Sequence, residues 1–421
     1  MSKISMIGLG YIGLPTAAVM ASRGLEVIGV DINAETCSII NQGKIHIVEP
    51  GLEELVKNAV ANGNLVATTQ VEPSDIFVIA VPTPFMEGNK PDLTYVKKAC
   101  QSIAQVLEPG NLVILESTSP VGTTDLMSKW ISEEREDLLV AGSMGVSDGE
   151  VEIHLAYCPE RVLPGKVIEE LVSNDRAIGG MTDKCSELAI SFYQNFVEGD
   201  CVKTNSRTAE MAKLTENSFR DVNIAFANEL SMICDELNIN VWELVSLTNR
   251  HPRVNVLQPG CGVGGHCIAV DPWFIVDSAP ETSKLIKMAR LVNDYKPKWV
   301  VEQVDKAVMA FIKRNPEKAL CDVVIGCYGL AFKPNIDDLR ESPAVGIATM
   351  LSEQFSTSKL FVVEPNIDKL NPNSLLAKRG VKLSSLEEAE ICDIKIYLVA
   401  HDEFKESFNA AEGVLNFAWD A

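Results

Sequence analysis

The sequence is poor in what metal centres, crosslinked scaffolds and membrane spans require. Its five histidines (46, 154, 251, 266 and 401) include no ligand-spaced pair, so no metal site is expected. Eleven cysteines are present without a single C-x-x-C, which fits a reducing compartment better than a disulfide framework. No apolar run approaches the ~18 residues of a membrane-crossing helix. The first strand pattern starts at Ile4 and leaves no room ahead of it for a signal peptide, so a cytoplasmic protein is expected. Cations are scarce as well: 37 Lys and Arg against 58 Asp and Glu give a net charge of −21. That excludes nucleic acid and anionic membranes as partners, and an anionic substrate would need a local cluster of Lys and Arg. What remains, 46% apolar and 23% charged over 421 residues, is the composition of a globular enzyme of two or three domains.

A dinucleotide-binding pattern opens the chain. The apolar run ISMI leads into Gly8-Leu-Gly10-Tyr-Ile-Gly13, a helix pattern over Leu14–Ser22 stops at Gly24, and the run Glu26–Val30 ends in Asp31. Gly8 suits the tight turn, Gly10 the approach of a pyrophosphate, and Gly13 helix–strand packing. The helix N-terminus offers free N–H groups to phosphate. Asp31 can accept hydrogen bonds from a ribose and would repel a 2′-phosphate, which favours NAD over NADP. Gly10, Tyr11, Ile12, Gly13 and Asp31 are thus candidate cofactor contacts.

Strand–helix alternation continues, with near-continuous apolar runs at Asp75–Pro82 and Asn111–Ser117 that read as buried parallel strands. Each ends in a polar turn carrying a threonine, Thr83 and Thr118. Ligands in such sheets sit beyond the carboxyl ends of strands, so both are candidate cofactor contacts, with turn formation the alternative. Residues 132–152 are largely polar and read as a surface loop. Tyr157–Gly165 returns to the core with Glu160 in it. Long helices follow. Thr208–Ile233 places Lys213, Asn217 and Arg220 on one face, between faces carrying Leu214, Phe219, Ile224, Phe226 and Leu230, so burial on much of the circumference is expected. A second helix, Ser283–Lys313, runs past Pro297. After Pro316 the alternation resumes at Asp322–Gly329, a helix from Ser342, Lys359–Glu364 and Ile394–Ala400. This reads as a smaller α/β domain without a full glycine fingerprint, offering the cations Lys333 and Arg340.

Between the long helices lies Gly260–Asp271, GCGVGGHCIAVD. Glycines let a backbone approach a ligand without Cβ interference. A thiol beside such a loop can capture an aldehyde as a thiohemiacetal, which can release a second hydride through a thioester. From these residues alone, an inert buried Cys267 in a tight turn remains open.

Seven motifs in order, GLGYIGLP, VPTP, ESTSPVG, CPERVLPG, AEMAKLTENSFRDVNIAFANE, GVGGHCIAVDP and GLAFKPNIDDLRESP, resemble the nucleotide-sugar 6-dehydrogenases that include UDP-glucose and GDP-mannose dehydrogenases. The resemblance implies an α/β fold: two Rossmann-like doubly wound domains joined by a helical central domain with a long linking helix. The expected divisions are 1–200 for NAD, 201–315 for the helical dimerisation part with the catalytic Cys, and 316–421 for the UDP-sugar. It implies a homodimer that oxidises a C6 alcohol to a carboxylate with two NAD. Carried over, Cys267 is the nucleophile, while Lys213 and Asn217 steady the oxyanion. Asp271 orders a water or assists proton transfer, Glu160 serves thioester hydrolysis, and Thr118 is a second water-ordering group. Lys333 and Arg340 meet the sugar or diphosphate, with Arg161 and Gly264 also among the substrate contacts. Arg253 resembles an arginine that reaches the partner subunit's substrate.

One departure narrows the substrate. The UDP-glucose enzymes usually read G-G-x-C-x-P-K-D; here Val270 replaces the Lys and His266 precedes Cys267. This form looks like the branch acting on UDP-N-acetylhexosamines, with N-acetylmannosamine expected and its C2 epimer N-acetylglucosamine the alternative. A non-catalytic dinucleotide sensor would not need Cys267, Lys213 and Asp271 together, and a simple two-electron dehydrogenase would not need the Cys.

Overall fold

The structure, a computed structural model, describes residues 2–163, 165–265 and 267–420, without the side chain of Ser407. It divides into two compact units. One runs to Glu216 and includes Trp273–Pro280; the other holds Asn217–Pro272 and the chain from Glu281 onward. The helix Ser206–Leu237 starts in the first and ends in the second.

Strands of the first unit are β1 (Lys3–Ile7), β2 (Glu26–Val30), β3 (Leu65–Thr68), β4 (Ile76–Ile79), the hairpin β5 (Phe85–Met86) and β6 (Lys90–Pro91), β7 (Leu112–Leu115), β8 (His154–Tyr157), β9 (Arg176–Gly180) and β10 (Cys201–Asn205). Eight form one sheet in the order β10-β9-β8-β7-β4-β1-β2-β3. From β3 to β8 all neighbours are parallel, and the order reverses between β1 and β4. Helices cover both faces, which is why β1, β4 and β7 are apolar almost throughout: Ile4, Met6, Phe77, Val78, Ile114 and Leu115 are all fully buried. β9 runs antiparallel to β8 and carries β10 at the edge, an extension the sequence pattern does not announce. The loop expected over 132–152 starts later, because the helix Thr123–Glu134 runs into it, and its apolar break is pinned by a bridge from Val140 to Ile153.

The second unit carries β11 (Val324–Tyr328), β12 (Lys359–Val363), β13 (Ile394–Tyr397) and β14 (Val414–Asn416), a parallel sheet in the order β12-β11-β13-β14. The helix Lys284–Arg314 runs unbroken through Pro297. Its residues Val300, Val301, Val304 and Val308 pack into the core of this sheet.

The two sheets repeat one local device. The amide of Gly8, after β1, donates to Val30 O at 2.7 Å, and that of Gly329, after β11, donates to Val363 O at 2.8 Å. Both glycines have φ +95°, and a Cβ on either would lie 2.5 Å from the chain after the neighbouring strand, at Ala80 O and Val399 Cβ. In each, the acid that follows the second strand accepts the next amide: Asp31 from Leu9 at 3.0 Å, Glu364 from Leu330 at 2.7 Å. The second sheet thus has the turn of a dinucleotide fold without its full glycine signature.

Candidate active site

In the first unit the glycine turn opens the helix Gly13–Ser22 at the crevice where strand order reverses, the place where ligands bind such sheets. Gly13 packs so closely that a Cβ would lie 1.9 Å from Gly8 O, whereas one on Gly10 would meet nothing within 4 Å. The open side at Gly10 leaves space for a pyrophosphate above the helix N-terminus. Asp31 is fixed on two amides, Leu9 (3.0 Å) and Asn33 (2.9 Å), which leaves acceptor positions for ribose hydroxyls. Tyr11 is exposed and Ile12 half-buried at this rim. These residues fit a bound NAD. Thr83 and Thr118, after β4 and β7, come together: Thr83 Oγ1 donates to Thr118 O at 2.5 Å.

Glu160, after β8, is buried, and both its oxygens are occupied. Oε1 accepts the Arg161 amide at 2.7 Å, and Oε2 pairs with the Arg176 guanidinium, itself buried and also donating to Leu171 O at 2.8 Å. Arg161 pairs with Glu216 at 2.9 Å.

In the second unit the Cys267 segment hangs from the helix Ser206–Leu237 near both ends. Asn217 Nδ2 donates to Asp271 Oδ2 at 2.5 Å, and Asn228 Oδ1 accepts the Gly260 amide at 2.9 Å. Asn228 in turn donates to Asn293 Oδ1 (2.9 Å), and Asn293 to Asp221 Oδ1 (2.8 Å), which also accepts Arg290 Nη1 (2.6 Å). Lys296 Nζ donates to Ser231 Oγ, and its ammonium lies 3.8 Å from the centre of the Trp299 ring. Asn217, Asp221, Asn228 and Ser231 fall at i, i+4, i+11 and i+14, one helical face. The polar stripe of this helix is therefore its inward face, and Lys213, four residues before Asn217, lies on the same stripe and is half-buried. The expected burial of the apolar faces is corrected here. Leu214 is buried, but Phe219 is 71% and Phe226 53% exposed, because the inward face is spent on tying the loop and the helix Lys284–Arg314. Arg220 is exposed.

Cys267 is exposed, and its carbonyl accepts the Asp271 amide at 2.9 Å, so the thiol stands one turn before a buried carboxylate. Burial pushes the thiols of Cys100, Cys158, Cys261, Cys327 and Cys392 up to about 12, which leaves them inert beside an exposed one. His266 lies outside the described residues. The loop is seated on the segment carrying the predicted cations. A Cβ on Gly264 would lie 2.6 Å from Glu341 O and 2.8 Å from Phe332 Cβ, and the Gly265 amide donates to Arg340 O at 3.3 Å. Lys333 is exposed, 5.7 Å from the Phe332 ring, and the Arg340 guanidinium pairs with Asp338 at 2.6 Å. Arg253 is exposed, and its amide donates to His251 Nδ1 at 3.3 Å.

Sequence reasoning missed Asn228, Asn293, Asp221, Arg176 and the Glu364–His401 clamp. Glu364 Oε2 accepts Leu330 and Ala331 amides and lies 3.1 Å from His401 Nε2, while His401 Nδ1 accepts the Asn335 amide at 2.9 Å, which fixes the segment carrying Lys333. The signal was present for the asparagines, as polar residues repeating on a helix face beside apolar ones. Nothing local marks Arg176 or His401. Among the described residues, no helix is long and apolar enough to cross a membrane.

The chain matches three domains of one family: UDP-glucose/GDP-mannose dehydrogenase family, NAD binding domain over residues 2–197, central domain over 207–295 and UDP binding domain over 326–417. It is 59% identical to a UDP-N-acetyl-D-mannosamine dehydrogenase of Campylobacter jejuni, covering 96% of this chain and 97% of that protein. It is 58% identical to an NDP-N-acetyl-D-galactosaminuronic acid dehydrogenase of Ralstonia solanacearum, covering 96% and 92%. Its structure is similar to that of a UDP-D-ManNAc dehydrogenase from Pyrococcus horikoshii, with a TM-score of 0.83 and 37% identity over 97% of this chain and 91% of that one.

Proposed function

Because the chain belongs to the UDP-glucose/GDP-mannose dehydrogenase family and carries its NAD and UDP binding domains, we propose that it oxidises C6 of UDP-N-acetyl-D-mannosamine to the carboxylate, as a step toward bacterial surface polysaccharide. The substrate rests on 59% identity to a UDP-N-acetyl-D-mannosamine dehydrogenase over nearly the full length of both chains. The double oxidation rests on one exposed thiol, Cys267, presented on a glycine loop one turn from a buried carboxylate. The division into residues 1–200, 201–315 and 316–421 belongs to the same reading.

Gly10, Tyr11, Ile12, Gly13, Asp31, Thr83 and Thr118 would hold NAD, which when bound would supply the hydride acceptor for each of two oxidations at C6. The Cys267 thiol gives its proton to the Asp271 carboxylate, held by Asn217, and its sulfur adds to the C6 aldehyde; the C–S bond forms as the carbonyl π bond opens to an alkoxide that Lys213 and Asn217 stabilise. Loss of the second hydride leaves a thioester. Water, ordered by Thr118, then attacks its carbonyl carbon, Glu160 takes the water proton, the C–S bond breaks and Cys267 leaves as thiolate. Arg161, Arg253, Gly264, Lys333 and Arg340 hold the nucleotide sugar; Arg340 exchanges Asp338 for a phosphate oxygen, a bidentate match.

A cytoplasmic homodimer completes the proposal. The exposed apolar stripe Phe219, Phe226, Ile233 and Leu237, with Leu285 and Met288 of the helix Lys284–Arg314, is the surface a second copy would cover, and Arg253 would then serve the other copy's site. Initial rates on UDP-ManNAc, UDP-GlcNAc, UDP-GalNAc and UDP-glucose test the substrate. UDP-ManNAc is expected to be preferred at least about tenfold, a difference of about 1.4 kcal/mol. Preference for another of these sugars keeps the chemistry and replaces the substrate: UDP-GlcNAc is the C2 epimer, and the N-acetylgalactosaminuronic name of the Ralstonia relative adds UDP-GalNAc, which differs at both C2 and C4.

A further inference from the structure

Behind Glu160 lies a buried group of charges that the mechanism above leaves unused. Glu116 follows β7, Cys158 and Glu160 follow β8, Arg176 opens β9 and Tyr193 ends the helix Asp183–Tyr193; all five are buried. Two carboxylates thus face one guanidinium. Glu160 has the better partners, Arg176 and the Arg161 amide. Glu116 Oε1 accepts only the Tyr193 hydroxyl, at 2.6 Å, and its Oε2 has no hydrogen-bond partner among the described residues.

We propose that Glu116 is a positioning residue for thioester hydrolysis: it shares Arg176 with Glu160, and its proton decides how much of the Arg176 charge Glu160 has to itself. This rests on Glu160 being the base proposed above. With both carboxylates ionised the group carries a net negative charge away from water, which is costly. The proton goes to the carboxyl with fewer donors, Glu116. Burial and then the Glu160 charge push Glu116 up to about 7, against the pull of Arg176 and the Tyr193 hydroxyl. The other faces carry a neutral thiol, Cys158, and a phenol, Tyr193, both raised by burial. While Glu116 holds its proton, the Arg176 guanidinium faces the single charge of Glu160 and holds that carboxylate to itself. Once Glu116 ionises, the guanidinium is divided between two carboxylates, its hold on Glu160 loosens, and water activation speeds up.

The test uses the full chain. Acyl-enzyme decay after a single turnover, and kcat, are followed from pH 5.5 to 9 in the wild type, Glu116→Gln, Tyr193→Phe and Glu160→Gln. The wild type is expected to show a limb centred near 7, rising about tenfold between pH 6 and 8. Glu116→Gln removes that limb and leaves KM for NAD and for the nucleotide sugar within about twofold. Tyr193→Phe moves the limb to higher pH, since a donor to the Glu116 carboxylate is lost. An infrared band of a protonated carboxyl titrating near 7 in the wild type and absent in Glu116→Gln is the matching equilibrium signature. A limb or band unchanged in Glu116→Gln overturns the proposal, as does a KM that rises as kcat falls. Hydrolysis at the wild-type rate in Glu160→Gln overturns instead the role of Glu160 on which it stands.

Discussion

Asn228 holds the amide of Gly260 at 2.9 Å from the buried face of the helix Ser206–Leu237. Eleven residues earlier on the same face, Asn217 holds Asp271 at 2.5 Å. Two asparagine side chains thus fix the two ends of the segment that presents Cys267, and Asn293, Asp221 and Arg290 lock Asn228 from behind. A nucleophile on a glycine-rich loop needs such ties, because glycine gives the loop no side-chain packing of its own.

Removing the upper tie is expected to disorder the loop more than the fold. Asn228→Ala leaves the Gly260 amide and the Asn293 Oδ1 without their partner, a cost of about 1–3 kcal/mol. It should lower kcat by roughly tenfold or more while the affinity for NAD, measured by fluorescence titration, stays unchanged. A kcat equal to wild type shows that Asn228 does not position the thiol.

Asp31 carries the adenosine end of the proposed cofactor site and also holds Leu9 and Asn33. Asp31→Ala is expected to raise KM for NAD by about 10-fold to 100-fold, because two amides and the ribose lose an acceptor, and to narrow the preference for NAD over NADP. An unaltered NAD/NADP ratio in steady-state rates refutes its charge-based selectivity.

Glu364 makes an acid-dependent prediction. Burial pushes its carboxyl up, but the His401 hydrogen bond and the Leu330 and Ala331 amides outweigh burial and bring it down to about 2. An unfolded glutamate titrates near ~4.3, so the stabilisation is fully present above that value and is lost as pH falls toward 2, about 3 kcal/mol in all. Urea denaturation should find Glu364→Gln less stable than wild type at pH 6 and the gap much reduced at pH 2.5. A gap independent of pH shows that the carboxylate is not held in its charged form.

The exposed stripe on the helix Ser206–Leu237 predicts association. Phe219→Asp with Phe226→Asp is expected to turn a dimer into a monomer in sedimentation and to lower turnover through loss of Arg253 from the second copy. A wild-type chain that sediments as an active monomer contradicts the shared site.

Much of the fold was legible because it is local in sequence. The strand–glycine–helix–strand–acid order announced the turn, helix and acid of Gly8–Asp31, and seven ordered motifs pointed to the family. Other parts were not. The apolar positions flanking Lys213 and Asn217 announce a buried helix whose polar stripe needs partners, but not which ones: Gly260, Asp271 and Asn293 come from segments 32 or more residues away. Arg176 sits sixteen residues past Glu160 and meets it only because β9 turns back against β8. The second sheet hides its ligand turn because Gly329 alone supplies the geometry that three glycines share in the first.

The most direct test of the central claim is the amount of NADH formed per molecule of UDP-N-acetyl-D-mannosamine consumed, with Cys267→Ser run beside the wild type. Two NADH per sugar in the wild type, and a variant that stalls after one or at a slowly hydrolysed ester, are the predicted results. A single NADH per sugar in the wild type, or sustained turnover with two in Cys267→Ser, contradicts the thioester route.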